Sequence, residues 1–411
     1  MVVIGGGSAG CVLAARLSEE PERSVCLVEA GPDYGPYDAG GWPPDIVDGR
    51  QLAFSHSWET DREDRSQLRA RIMGGCSAHN ACVALEGEPE DYEWGDGWSY
   101  AVLEPYFRRA ERELRVRRFS KEELSPWHRA FVDVADDVAI TPLNAVDGVR
   151  WNAAFAYLDP ARERPNLTIL AETLVDRVDA ESGRVHTSRG ELEGETLVLA
   201  AGAYGSPGIL LRSGIDAGEG LIDHVGVGFG WEPTERLQRE TADFEAGHAL
   251  YMAGVAVRLA RDLLLFPAID FDHEISAAVF NMKPRSRGRV SLTSSEPAAP
   301  LRIEHGFLAD PQDRALLAEG VELVRALLEA DALREYAGTE LRPLGTDMRE
   351  VARGFFHPVG TCALGRVVDE RGRVLGADRV VVADASIIPE IPRAPVNLTV
   401  IAVAERLAEL L

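Results

Sequence analysis

Cysteine is scarce in this 411-residue chain. The five that occur (Cys11, Cys26, Cys76, Cys82, Cys362) are scattered, odd in number and never in C-x-x-C spacing. That excludes a disulfide framework and a cysteine-based zinc site, and no metal is expected. Cys11 and Cys26 fall in buried-looking segments, where a reduced thiol serves as a small hydrophobe. A reducing, cytoplasmic location is therefore expected. No apolar run is long enough to cross a bilayer, so no membrane partner is expected. Positive charge is also short: 43 Lys and Arg stand against 67 Asp and Glu, a formal net charge of −24. That argues against nucleic acid and anionic membrane as partners. There is no internal repeat and no low-complexity tract. The rest is ordinary for a soluble globular protein, with 45% hydrophobic and 27% charged residues and enough chain for two intertwined domains.

What is present begins at once. Met1 to Ile4 reads as a strand, Gly5-Gly6-Gly7-Ser8-Ala9-Gly10 as a turn, and Cys11 to Leu17 as a helix. A second strand, Ser24 to Val28, ends on Glu29, 19 positions beyond Gly10. This is G-x-G-x-x-G in its full strand–turn–helix–strand–acid setting. Gly5 permits the tight turn, Gly7 lets backbone approach a pyrophosphate, and Gly10 lets helix and strand pack closely. The helix N-terminus faces the phosphate charge, and Glu29 is placed to accept hydrogen bonds from a ribose diol. With residues 1–10 already structural, a secretory leader is not expected.

Further along, residues 32–66 read as a long extended connection. Residues 67–85 hold a small-residue cluster, Gly74-Gly75-Cys76-Ser77-Ala78-His79-Asn80-Ala81-Cys82-Val83, which something must approach closely. A helix is expected over 101–118, with Val102, Tyr106, Phe107 and Ala110 on one face. Residues 166–198 read as β-rich. The strand Thr196 to Ala200 runs through Ala201 into a helix with Pro207 at or near its first turn. Residues 220–350 suit an antiparallel sheet with helices on one side, including a long helix from about Pro311 to Leu328. A strand at 379–384 and a helix from Asn397 close the chain. The strands near 196 and 380 are expected to join the first one in a single sheet.

Two residues near the end carry candidate chemistry. His357, in Phe355-Phe356-His357-Pro358-Val359-Gly360-Thr361, can exchange a proton near neutrality. Asn397, forty positions on, cannot be a base but can donate a hydrogen bond to an alkoxide. Taken singly, a structural histidine and a helix N-cap are the plainer readings.

Taken together the segments resemble the glucose–methanol–choline oxidoreductase family, near its choline oxidase and alcohol oxidase branch. The resemblance rests on Gly5 to Glu29, on Gly74 to Leu85 with Pro89 to Trp94, on Gly202 to Ile215, and on His357 to Thr361 with Asp384-Ala385-Ser386 and Asn397. It implies an α/β fold: a Rossmann-like FAD-binding domain (1–120, 165–222 and 355–411) and a smaller antiparallel-sheet substrate domain (121–164 and 223–354). It implies FAD held by Gly5, Gly7, Ser8, Gly10 and Glu29, with Gly75, Asn80, Val83, Ala201, Asp384, Ala385 and Val396 around the cofactor. His79 matches the histidine that the choline oxidase branch joins covalently to flavin; a noncovalent histidine beneath the ring edge is the other reading. The implied reaction is oxidation of a primary alcohol to an aldehyde by hydride transfer to flavin N5. His357 and Asn397 act as the pair, and oxygen or another acceptor takes the electrons. A hydroxynitrile-lyase-like activity on the same scaffold is the alternative, and a redox-silent FAD-binding protein is a third reading. The chain is shorter than most members, with much of the loss placed after Ile215, where Leu221-Ile222-Asp223-His224-Val225 preserves the feel of the usual stretch and not its letters. Trp231, Phe266, Phe355 and Phe356 are candidates for an aromatic substrate pocket. The oligomeric state is not legible.

Overall fold

The computed structural model describes all residues except 59–66, 96, 271, 295, 297, 298 and 342–347. Its first sheet gathers strands from distant parts of the chain. In order across the sheet these are Arg373–Val374, Ala377–Val382, Leu197–Leu199, Val2–Ile4, Val25–Val28 and Leu167–Leu170. All neighbours are parallel except the first pair. Val381, Val198, Val3 and Leu27 stand side by side in register, each almost fully buried. Continuous apolar strands of this kind suit a parallel sheet covered on both faces. The three expected strands therefore do share one sheet.

Three helices pack together beside it: Ser8–Leu17, Tyr100–Glu113 and Asn397–Leu410. The middle one was expected over 101–118 with Val102 and Tyr106 inward. The structure instead buries Leu103, Phe107 and Ala110 and leaves Val102 and Tyr106 half-buried. A fully buried carboxylate ties the three together. Glu405 of the last helix accepts two bonds from Arg16 (3.0 and 2.9 Å) and one from Arg109 (3.1 Å). Such a carboxylate is held inside only because its charge is paired and hydrogen-bonded.

The second sheet is antiparallel. Its order is Ala337–Glu340, Val225–Pro233, Ile275–Asn281, Leu263–Ile269, Val255–Ala260 and Val138–Ile140, with Arg353–Gly354 added beside Val225. Side chains alternate between its faces. Leu263, Leu265, Ile275, Ala277 and Val279 join a core with the helices Pro126–Val134 and Pro311–Leu328. Leu264, Phe266, Ala278 and Phe280 point the other way and meet Phe355. Residues 124–131 pack in this second core and 153–161 in the first, so the segment 121–164, expected wholly in the second unit, is shared between them.

Two local expectations fare differently. The connection 32–66 contains the short helix Pro44–Val47, and its residues 59–66 lie outside those described. The helix expected to open near Pro207 spans Gly202–Arg212, which leaves the proline in its interior. Proline there has no N–H for the carbonyl four residues back. That carbonyl, on Ala203, instead accepts a 2.7 Å bond from the Thr361 hydroxyl. Thr361→Val removes this partner and leaves the buried oxygen unpaired. Denaturant unfolding should show a loss of about 1–3 kcal/mol; an unchanged midpoint would mean that the hydroxyl does not compensate for the proline.

Candidate active site

The first glycine turn does what its pattern requires. Gly5 has φ +102°, and a Cβ on Gly10 would stand 1.7 Å from the Gly5 carbonyl oxygen. The helix Ser8–Leu17 begins without a side-chain cap, so its first N–H groups are left for an anion. The Glu29 carboxylate accepts from Gly6 N (2.7 Å) and Gly31 N (2.8 Å), one bond per oxygen, and keeps lone pairs for a diol.

A second turn closes on the first. Gly74 N donates to the Gly6 carbonyl at 2.7 Å. A Cβ on Gly75, whose φ is +52°, would lie 2.6 Å from Gly7 Cα. Beyond it, Asn80 Oδ1 accepts from Cys82 N at 3.0 Å, and Val83 pairs with Leu143. Buried His79 hydrogen-bonds the Ser55 backbone, and its Nε2 has no hydrogen-bond partner among the described residues. Burial lowers its pKa to about 4, so the ring is neutral at pH 7.

The Asp384 carboxylate is filled by the protein. It accepts from Gly202 N, Ser206 Oγ, and both N and Oγ of Ser386, at 2.5–2.8 Å. Ser206 Oγ also takes the N–H of Ala201 at 3.1 Å. Asp384 thereby ties the end of the strand Ala377–Val382 to the turn after Leu199, and Ala385 opens the short 3-10 turn that follows. Val396 is buried at the start of the last helix. Next to it, Asn397 Oδ1 accepts from Ser8 Oγ at 2.9 Å, which leaves the amide's N–H donors to face elsewhere.

His357 sits on a bulge. Val225 pairs with Gly354 and Ile222 with Val359, so two residues on one side face four on the other. Extra residues of this kind re-aim a side chain. Phe356 takes φ +63° there, a conformation that costs an aromatic residue about 1–3 kcal/mol. The half-buried His357 is gripped twice from the facing chain. Asp223 Oδ1 accepts its backbone N–H at 2.9 Å, and its Nδ1 lies 3.0 Å from His224 Nδ1. His224 Nε2 in turn meets the Pro392 carbonyl at 3.0 Å. Burial, then His224, then Arg69 hold the His357 pKa well below its usual value, so the imidazole is neutral at pH 7.

The expected residues therefore fall in two groups: Gly7, Gly75, Ser8 and Asn397 around the glycine turns, and His357, which is linked through His224 to Pro392, five residues upstream of Asn397. Asp223 and His224 were missed as functional residues. Their signal in the sequence was the Asp223-His224 pair within the stretch set against the family's usual one after Ile215, to which no role was given. Of the four candidate pocket aromatics, Trp231 is a correction. It stacks on Phe229 in the helix-side core, because alternation along its strand turns it away. Phe355 stacks on Phe280 (ring centroids 3.8 Å apart) and lies 4.4 Å from the His357 ring, with Phe266 behind.

Comparison with known proteins agrees with this layout. Family models described as GMC oxidoreductase match residues 1–229 and 284–404. The 5-(hydroxymethyl)furfural oxidase of Methylovorus sp. (strain MP688) is 30% identical, over 99% of this chain and 97% of the relative. That alignment runs to 522 positions, so the shortening is internal. Choline oxidase of Arthrobacter globiformis is 28% identical, over 100% and 93%. The crystal structure of pyridoxine 4-oxidase from Mesorbium loti superposes with a TM-score of 0.85 at 26% identity, covering 100% of this chain and 98% of that one.

Gly75→Ala tests the cradle. It forces a methyl group against Gly7, and the purified protein should carry much less flavin per chain, read from its absorbance. Full flavin content would show that the two turns need not touch.

Proposed function

Because the chain belongs to the glucose–methanol–choline oxidoreductase family, we propose that it oxidises a primary alcohol on an aromatic or furan-like ring to the aldehyde, with His357 as proton acceptor and Asn397 as hydrogen-bond donor to the substrate oxygen. The observation that carries this reading is the neutral His357 imidazole, clamped on its bulge by Asp223 and His224. FAD, when bound, supplies the acceptor for the hydride that leaves the carbinol carbon. Gly5, Gly7, Ser8, Gly10 and Glu29 would hold its phosphates and ribose, with Gly75, Asn80, Val83, Ala201, Ala385 and Val396 lining the rest. Asp384 would contribute backbone only, since its carboxylate is filled.

The work of the protein side is plain. Neutral His357 takes the hydroxyl proton. Asn397 donates to the oxygen as negative charge develops there. Phe355 and Phe280 offer flat apolar surface next to the imidazole, which suits a planar ring. The substrates named for the furfural and pyridoxine oxidases are of that shape. The named relatives are oxidases, which disfavours the lyase alternative and a redox-silent role. Among the described residues no helix is long and apolar enough to cross a membrane. The five unpaired cysteines support a reducing, cytoplasmic setting as part of the same proposal.

Covalent attachment through His79 belongs to the proposal as well. Its Nε2 is buried, unprotonated and without a partner among the described residues, which leaves a lone pair available. FAD, if held there, would supply both the methyl carbon for that bond and the acceptor for the two electrons released with the two hydrogens lost as it forms.

Anaerobic mixing with a panel of furanic, aromatic, aliphatic and amino alcohols tests the reaction. Arylmethyl alcohols should bleach the flavin fastest, and His357→Ala should slow bleaching about 10²–10⁴-fold with FAD retained. Near-normal bleaching in the variant would remove His357 from the reaction. Peroxide formation in air distinguishes oxygen from another acceptor. Acid precipitation should leave the yellow colour in the pellet; a yellow supernatant rejects the bond to His79.

A further inference from the structure

His224 lies outside every role so far assigned to a catalytic group, yet it touches the side chain on which the proposed reaction depends. Its two ring nitrogens have different partners. Nε2 faces the Pro392 carbonyl at 3.0 Å, and a carbonyl can only accept. Nε2 therefore carries a hydrogen. The ring is fully buried among the second-sheet strand Val225–Pro233, Phe355 and the tail, and burial lowers its pKa to about 3. A neutral imidazole has one N–H, so the other nitrogen, Nδ1, is bare. Nδ1 lies 3.0 Å from His357 Nδ1. A bare nitrogen accepts, so His357 must donate from Nδ1.

We propose that His224 is a positioning residue that fixes the tautomer of His357, holding the hydrogen on Nδ1 and leaving Nε2 as the lone pair that receives the substrate proton. The inference rests on the reading of His357 as proton acceptor. Among the described residues His357 Nε2 has no hydrogen-bond partner, so nothing competes for that lone pair. When Nε2 gains its proton, Nδ1 goes on donating to His224, and no other hydrogen has to move. The partner is neutral, where many catalytic histidines have a carboxylate. A neutral acceptor orients the ring without stabilising the imidazolium strongly, so His357 gives its proton up again readily. The ionisable groups around the pair are Arg69, Lys283, Asp91 and Asp223, whose carboxyl is pushed up to about 7 by burial. Asp223 grips the backbone N–H of His357 and not its ring, so it cannot set the tautomer.

The test uses flavin-loaded enzyme labelled with ¹⁵N-histidine. The His357 resonances are assigned by their loss in His357→Gln. Nδ1 should show the shift of a protonated nitrogen and Nε2 that of a bare one at neutral pH. The reverse pattern overturns the proposal whatever the activity does. His224→Leu removes the acceptor, and His224→Asn restores an acceptor oxygen near the Nδ1 position. Leu at this site should lower the limiting rate of flavin reduction about 10-fold or more with little change in KM, and Asn should recover most of it. An unchanged rate in His224→Leu, or equal losses in both variants, overturns the proposal. The His357→Ala rate reports separately on whether His357 takes the proton at all, so failure of that reading is told apart from failure of this one.

Discussion

A single 2.9 Å hydrogen bond, from Ser8 Oγ to Asn397 Oδ1, joins residues 389 positions apart and brings two helix N-termini together. The rest of the site depends on that meeting. It is possible because the strands Val2–Ile4, Leu197–Leu199 and Ala377–Val382 lie in register in one parallel sheet. Each strand then releases its loop at the same sheet edge. Ligands of open α/β sheets bind where strand ends and helix starts face one another. Here the first strand delivers the glycine turn, the second delivers Ala201, and the third delivers Asp384, which bonds back to the second. The buried Glu405 with Arg16 and Arg109 keeps the first and last helices from sliding apart.

The tail that carries Asn397 is pinned along its length. Lys283 Nζ donates to the Ile391 carbonyl, the Pro392 carbonyl accepts from His224, and Arg393 is held by Asp91 and Asp262. Lys283 and Asp262 belong to the second sheet's connections, while Asp91 comes from the first unit's long excursion. The same segment therefore fixes the carboxamide on one side and, through His224, the imidazole on the other. Rigid support of this sort is what lets two side chains from separate elements share one substrate atom. The bulge adds the remaining reach. It spends local strain at Phe356 to turn His357 out of the strand direction.

Much of this was legible from the residues because it is local. A glycine turn, its following helix and the acid at the next strand's end are specified within thirty residues, and the helix starting at Asn397 follows from its apolar periodicity. What escaped was set by contacts across the chain. Pro207 looked like a helix start, since the hydroxyl that makes it tolerable belongs to Thr361, 154 positions away. Trp231 looked like pocket lining, since only the sheet reveals which face its strand turns inward. The His224–His357 pair spans 133 positions and exists because a bulge shifts the register by two residues. No periodicity records such a shift.

The most direct measurement is the rate of flavin absorbance loss when an arylmethyl alcohol deuterated at its carbinol carbon is mixed anaerobically with the enzyme. A rate slowed several-fold relative to the protiated alcohol is the result expected if the carbinol C–H bond breaks as the flavin is reduced. Flavin that keeps its colour, or loses it equally fast with both alcohols, would contradict the assignment.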